Sequence, residues 1–219
     1  MTTARPVRTF GDGGAVAEVE SLEEAHGLAG AVGHVREAGI DDVIVGHRSV
    51  TVVIDPAVTD LAAVTDLLAT LVPVPADRAT PRLIEIPVAF DGPDLDQVGR
   101  LAALSPTRVV ELLTGTDLRV AFVGFAPGFA YLVGLPDELA SVPRRPTPRP
   151  AVPGGSVALA GGFAGVYPQS SPGGWHLVGR TDMRMFDPAT PPYSVGTDSA
   201  IFLISQRSGR VNVRGRPPR

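Results

Sequence analysis

Gly124-Phe125-Ala126-Pro127-Gly128-Phe129-Ala130-Tyr131-Leu132 opens a stretch that continues through Pro143-Arg144-Arg145-Pro146-Thr147-Pro148-Arg149 and Val152-Pro153-Gly154-Gly155-Ser156-Val157 to Ser171-Pro172-Gly173-Gly174-Trp175. The 52 residues from Gly124 to Trp175 hold nine of the chain's 22 prolines and ten of its 25 glycines. Proline fixes φ and removes an amide donor, and glycine costs extra entropy on ordering, so no continuous helix runs here and each turn is specified individually. A disordered linker would be poor in aromatics. This stretch instead carries Phe125, Phe129, Tyr131, Phe163, Tyr167 and Trp175, six of the twelve aromatic residues in the chain, and reads as a shaped binding surface.

Around it the pattern is β. Leu118 to Phe125, Ser156 to Ala160, His176 to Arg180 and Ala200 to Ser205 are strand-like runs joined by glycine- and proline-rich connections, which argues a barrel or sandwich over residues 118–219. Upstream, residues 1–89 read as a β-α-β-β-α-β unit of the split βαβ, ferredoxin-like kind. A strand at Ala15 to Val19 precedes a capping box, Ser21 with Glu24, and an apolar stripe of Leu22, Ala25, Leu28, Val32 and Val35. Val43 to Ile54 reads as a hairpin turning at Gly46-His47. Asp60 heads a second amphipathic helix through Val64, Leu68 and Leu71, and a strand at Leu83 to Val88 closes the unit. Residues 90–117 read as a helical connector, with Asp94 heading one segment and Ser105-Pro106 supplying a cap and a first-turn proline for the next. Arg207, Arg210, Arg214, Arg216 and Arg219 mark a solvated C-terminal end.

Composition removes whole classes of chemistry. All 19 basic residues are arginine; no lysine exists to serve a phosphate loop, a Schiff base, a Ser-Ser-Lys amidase or a biotin attachment. Cysteine is also absent, and with it thiol nucleophiles, disulfides and thiolate metal sites. The net charge of −4 makes no case for nucleic acid. His26, His34, His47 and His176 lack metal-ligand spacing. The first residues show no apolar leader and the uncharged run Ala121 to Pro136 is too short and too rich in proline and glycine to span a bilayer, so no membrane association and a cytoplasmic location are expected. Gly154-Gly155-Ser156-Val157-Ala158 approaches a nucleophile elbow but lacks its final glycine and its following helix, which leaves Ser156 a positioning role.

Taken together and in order, Gly124-Phe125-x-Pro127-Gly128-Phe129-x-Tyr131-Leu132, Pro143-Arg144-Arg145-x-x-Pro148-Arg149, Val152-Pro153-x-Gly155-Ser156-Val157, and Ser171 to Trp175 with Gly179-Arg180-Thr181 resemble the family of 5-oxoprolinase B subunits. That family includes Kip-type inhibitors of a sporulation histidine kinase, often carries the label allophanate hydrolase subunit 1, and is similar to a module of urea carboxylase. The resemblance implies a ferredoxin-like N-terminal domain and a cyclophilin-like β-barrel C-terminal domain. It implies one component of a hetero-oligomer, inactive alone, that opens 5-oxoproline to L-glutamate with partners resembling the A and C subunits of 5-oxoprolinase, ATP being bound mainly by another component. Histidine-kinase inhibition and carboxyltransferase-type chemistry on a urea-derived substrate are the alternatives. Two positions depart from the family pattern: Leu113 stands where a histidine is usual, and Val195-Gly196-Thr197-Asp198 replaces a Pro-Gly-Asp turn.

The substrate and any phosphorylated intermediate are anionic, and a guanidinium pairs bidentately with carboxylate or phosphate. Arg144, Arg145, Arg149 and Arg180 are therefore the expected clamps, with Tyr131, Trp175 and Ser156 as further substrate-side residues. Arg149, Arg180 and His176 are the candidates for a direct catalytic part. Trp175 and His176 are neighbours on a strand and should face opposite sides of the sheet.

Overall fold

The computed structural model describes residues 4–35, 38–75, 82–187, 189 and 199–205. The chain divides into two units, 1–80 and 81–219. The first contains β1 (Val7–Thr9), β2 (Gly14–Glu18), α1 (Leu22–Val35), β3 (Ile40–Val45), β4 (Ser49–Ile54) and α2 (Leu61–Thr70). Its helices start where the local chemistry says. Ser21 Oγ accepts from Glu24 N at 3.1 Å while Glu24 Oε2 accepts from Glu20 N at 2.9 Å, and Asp60 Oδ1 accepts from Ala62 N at 3.1 Å, so orphan amides of both first turns are satisfied. The hairpin of β3 and β4 closes with Gly46 N donating to Ser49 O at 2.8 Å. Ala25, Leu28 and Val32 of α1 and Val64 and Leu68 of α2 pack with Val50, Val52 and Ile54 into one core. The sheet order is β1-β2-β4-β3, all antiparallel.

That order corrects one expectation. The place beside β2 is taken by the short N-terminal strand β1, and the strand expected to complete this unit, β5 (Arg82–Val88), belongs to the second. The cause is β5's buried face: Ile84, Ile86 and Val88 enter the second unit's core while β5 runs parallel to β13 (Ser199–Ser205). Pro87, which cannot donate to a ladder, is tolerated because β5 is an edge strand.

The second unit continues with α3 (Leu95–Leu101), α4 (Pro106–Gly115), β6 (Leu118–Val123), β7 (Ala130–Val133), α5 (Asp137–Ala140), β8 (Arg149–Val152), β9 (Ser156–Ala160), β10 (Phe163–Val166), β11 (Ser171–Gly173) and β12 (His176–Arg180) before β13. The helices α3 and α4 are not a free connector. Val98, Val109 and Leu113 are buried in this unit's main core. Ser105 caps α4, its Oγ accepting from Arg108 N at 3.1 Å, with Pro106 in the first turn. Leu113 is 1% exposed, so the position where the resemblance led us to expect histidine is a packing position in this chain. The turn at 195–198 and the C-terminal arginines lie outside the described residues.

Seven strands pair in the order β12-β9-β10-β7-β6-β13-β5, and β8 pairs with β11 as a separate ribbon. The edges β12 and β5 are joined by one bridged pair, Ala89 with Arg180, rather than by a ladder, so no closed barrel forms among the described residues. Strand alternation gives the sheet two different faces. Leu118, Val120, Leu132, Val157, Leu159, Ala164, Val166 and Val178 face the main core, shared with α3 and α4. Phe129, Ala158, Ala160, Trp175 and Leu177, with Tyr131 and Phe163 packed on, form a second, aromatic cluster.

Candidate functional site

The aromatic cluster carries a cleft of about 190 Å³ lined by Phe125, Phe129, Tyr131, Arg144, Arg145, Pro148, Tyr167, Pro172, Gly173, Gly174 and Trp175. Its wall is a set of edge-to-face contacts centred on Phe129, whose ring centroid lies 5.2 Å from Tyr167, 5.5 Å from Trp175, 5.0 Å from Tyr131 and 5.5 Å from Phe125. Tyr131 also stacks on Phe122 at 4.3 Å and meets Trp175 edge-on at 5.6 Å. Aromatic pairs of this geometry are each worth about 0.5–1.5 kcal/mol beyond the area they bury, so the wall is stiff before a ligand arrives. Phe125 differs from the rest: it is 63% exposed and held at φ +69°, the left-handed region.

The opposite side is built by the proline-rich segment 143–149, secured at both ends. Arg145 N donates to Gly174 O at 2.8 Å, and Gly173 of β11 is in register with Arg149 of β8. Its side chains are held from below by Asp94, 5% exposed. Asp94 Oδ1 accepts from Arg149 Nη2 at 2.8 Å and from Arg145 Nη1 at 3.0 Å, and Oδ2 accepts from Leu177 N at 2.8 Å. Asp94 N in turn donates to Leu177 O at 2.9 Å. The close approach of the Gly92–Asp94 stretch to β12 depends on Gly92, where a Cβ would collide with the backbone of Leu177 to Gly179. Asp94 stands at the N-cap position of α3, yet its carboxylate makes no cap bond, being spent on the guanidinium groups and Leu177. Burial alone would raise this carboxyl, but the Arg149 hydrogen bond, the Leu177 N–H and both arginine charges outweigh it and hold the group below the ordinary value.

The structure brings Tyr131, Arg144, Arg145 and Trp175 together around the cleft. Arg149 stands directly behind, paired with Asp94. The remaining expected residues are elsewhere. Arg180 is 63% exposed in its side chain and pairs with Asp91 at 3.1 Å, and Ser156 is buried in β9 with its carbonyl accepting from Tyr167 N at 2.9 Å. Neither lines the cleft. His176, 4% exposed, places Nε2 at 3.1 Å from Pro143 O, which makes Nε2 the N–H donor and leaves Nδ1 buried with no partner. Burial first, then the Arg145 and Arg149 charges, push its pKa down against the pull of Asp94 and the Pro143 bond, so it is neutral at pH 7. It supports the segment that carries the arginines and does not face the cleft.

Three residues of the site were not among the expected site residues: Asp94, seen there only as a helix start, Phe129, seen as part of the family motif, and Tyr167, seen only as aromatic content. Acidic spacing gave no signal for Asp94, since its partners are 51 and 55 residues away. Among the described residues no group of acidic or histidine side chains has the arrangement of a metal site, and no helix is long and apolar enough to cross a membrane.

A family profile described as carboxyltransferase domain, subdomain C and D, matches residues 6–195. A protein of Bacillus subtilis (strain 168) named as the B subunit of 5-oxoprolinase is 45% identical over 114 residues, which are 51% of this chain and 47% of that protein. One of the same name from Haemophilus influenzae is 36% identical over 173 residues, 77% of this chain and 81% of its own length. The match thus spans about half of the Bacillus relative and most of the Haemophilus one. In structure, the Kluyveromyces lactis urea carboxylase superimposes with a TM-score of 0.72 at 18% identity, over 91% of this chain and 21% of that one, a likeness of fold.

Proposed function

Because this chain belongs to the family of the carboxyltransferase domain, subdomains C and D, we propose that it acts as the B subunit of an ATP-dependent 5-oxoprolinase. In that complex it opens 5-oxoproline to L-glutamate together with partners resembling the enzyme's A and C subunits. Relatives named as 5-oxoprolinase B subunits support the assignment. The observation that carries it is the cleft. Its aromatic wall suits a flat, largely apolar ring, and Arg144 lines it with a guanidinium that has no hydrogen bond or ion pair among the described residues. Arg145 and Arg149 are already committed to Asp94. Arg145 and Arg149 each give Asp94 one N–H and keep others, so Arg144 is singled out as the cleft guanidinium with no protein carboxylate already on it among the described residues, and it is the one assigned to the substrate carboxylate. Urea itself has no carboxylate to answer it but carboxylated urea does, so the preference for the cyclic amide acid over carboxyltransferase chemistry rests on the relatives named as 5-oxoprolinase B subunits.

The cleft's volume of about 190 Å³ lies below the roughly 300–1,000 Å³ of sites that enclose drug-sized ligands. A small ring acid suits that space and a nucleoside triphosphate does not, so ATP is assigned mainly to another component of the complex, and its use implies a cytoplasmic assembly. We read the first unit as ferredoxin-like with β1 in the fourth strand's place, and the second as a cyclophilin-like barrel joined at its seam by the Ala89–Arg180 pair.

Purified alone, the chain should show no 5-oxoproline-dependent ATP hydrolysis, and mixing it with the two partners should yield glutamate. Glutamate from the single chain, or none from the full mixture, overturns the assignment.

A further inference from the structure

Tyr167 is the largest side chain with almost no solvent exposure, at 2%, yet it lines the cleft. Its backbone is pinned on both sides, N to Ser156 O at 2.9 Å and O from Gly155 N at 2.7 Å, so the ring has little freedom to move. An edge-to-face contact with Phe129, centroids 5.2 Å apart, steadies it further. The hydroxyl lies beside Gly173, also a lining residue, at a point where any Cβ on residue 173 would overlap it. That hydroxyl makes no hydrogen bond among the described residues. Unlike His176 Nδ1, the Tyr167 oxygen is not a fully enclosed atom without a partner, so its O–H stands open at the cleft and can donate to an acceptor held there.

Resting on the reading of the cleft as a site for a cyclic amide acid, we infer that the Tyr167 hydroxyl donates a hydrogen bond to the ring carbonyl oxygen of the bound ligand, while Arg144 holds the carboxylate. Desolvation keeps the phenol protonated, its pKa raised above the ordinary value despite the Arg144 and Arg149 charges, so it is a donor throughout the physiological range. Two groups at separate points of a small cleft then select ligands bearing both a carboxylate and a ring carbonyl, and Gly173 is required because its missing side chain makes room for the hydroxyl. Tyr167 here is a specificity-determining residue for the proposed substrate, and the glycine a positioning one.

The test is an NMR titration of the full chain with three probes: 5-oxoproline, 2-pyrrolidinone (ring carbonyl without carboxylate) and cyclopentanecarboxylate (carboxylate without ring carbonyl). The wild type should bind 5-oxoproline most tightly. Tyr167→Phe should weaken 5-oxoproline and 2-pyrrolidinone about tenfold, the worth of one hydrogen bond, and leave cyclopentanecarboxylate unchanged. Arg144→Gln should weaken 5-oxoproline and cyclopentanecarboxylate and leave 2-pyrrolidinone unchanged. Gly173→Ala, which displaces the phenol, should repeat the Tyr167→Phe pattern. Unchanged binding in Tyr167→Phe, or equal weakening of all three probes, overturns the hydrogen bond while leaving the cleft intact. Failure of the wild type to bind any of the three, alone and with its partners, overturns the reading of the cleft itself.

Discussion

Asp94 and Arg149, 55 residues apart in sequence, meet at 2.8 Å, and the same carboxylate oxygen accepts Arg145 at 3.0 Å. One buried acid thus fixes the chain ahead of α3, the arginine segment and, through Leu177, the edge strand β12. Removing its charge leaves two guanidinium groups facing each other without compensation. The arginine side chains are 29% and 23% exposed, so the loss is smaller than the roughly 3–5 kcal/mol of a fully buried pair. Asp94→Asn should cost about 2–3 kcal/mol in urea denaturation. The exposed Arg180–Asp91 pair is the control, Arg180→Ala changing stability by less than about 0.5 kcal/mol. A near-zero effect of Asp94→Asn would show that the pair does not brace the site.

Acid should unfold the second unit in two stages. His176 is buried neutral with its pKa below 6.5, so the unfolded chain binds its proton first, and stability declines as pH falls from 6.5 towards the folded value. Asp94 has a folded pKa below 3.8; its contribution is complete above 3.8 and disappears as pH falls through the lower folded value. His176→Gln should flatten the first stage, because the amide can donate to Pro143 O without titrating, and Asp94→Asn should flatten the second. Denaturation midpoints followed between about pH 7.5 and 3 check both. An unchanged slope below pH 6.5 in His176→Gln would place that titration on another group.

Much of this was legible in the residues. Helix starts at Ser21, Asp60 and Ser105-Pro106 are local chemistry, and the sequence alone places them. The expected strands at 118, 156, 176 and 200 correspond to β6, β9, β12 and β13. The strand β5 could not be assigned from its pattern, because alternating Ile84, Ile86 and Val88 specify a buried face without saying whose core receives it. β7, β8, β10 and β11 are three or four residues long and sit among prolines and glycines, so no periodicity could develop. At the site, residue type pointed to arginine, but whether a guanidinium is free or committed depends on a carboxylate far away in sequence. That pairing separates Arg144 from Arg145 and Arg149, and solvent exposure sets Arg180 apart.

Restoring the family's usual histidine at position 113 should harm the protein and gain nothing. Leu113 is buried in α4 against the main core, on the side of the sheet opposite the aromatic cluster. Leu113→His exchanges an apolar side chain for one with two nitrogens and no partner there, at a cost of about 2–4 kcal/mol. Thermal denaturation should show the loss, and 5-oxoproline turnover by the reconstituted complex at a temperature where the variant is folded should not rise. A gain in turnover would mean that this position communicates with the chemistry after all.

Phe125 offers a separation of binding from stability. A φ of +69° is one that a bulky residue adopts only under constraint, costing about 1–3 kcal/mol, and the side chain is largely in solvent with an edge-to-face contact to Phe129 in return. Glycine accepts that φ without strain, although it loses more entropy on folding and forfeits the ring contact, together about 1–2 kcal/mol. Phe125→Gly should therefore leave the melting temperature nearly unchanged or slightly raised, while 5-oxoproline binding weakens because one lip of the cleft is gone. Phe125→Ala keeps the strain and loses the ring, so it should be the less stable of the two variants. A glycine variant that melts well below the alanine one would show that the left-handed turn is not held against its own preference, and the cleft's rim would then owe its shape to something other than stored backbone strain.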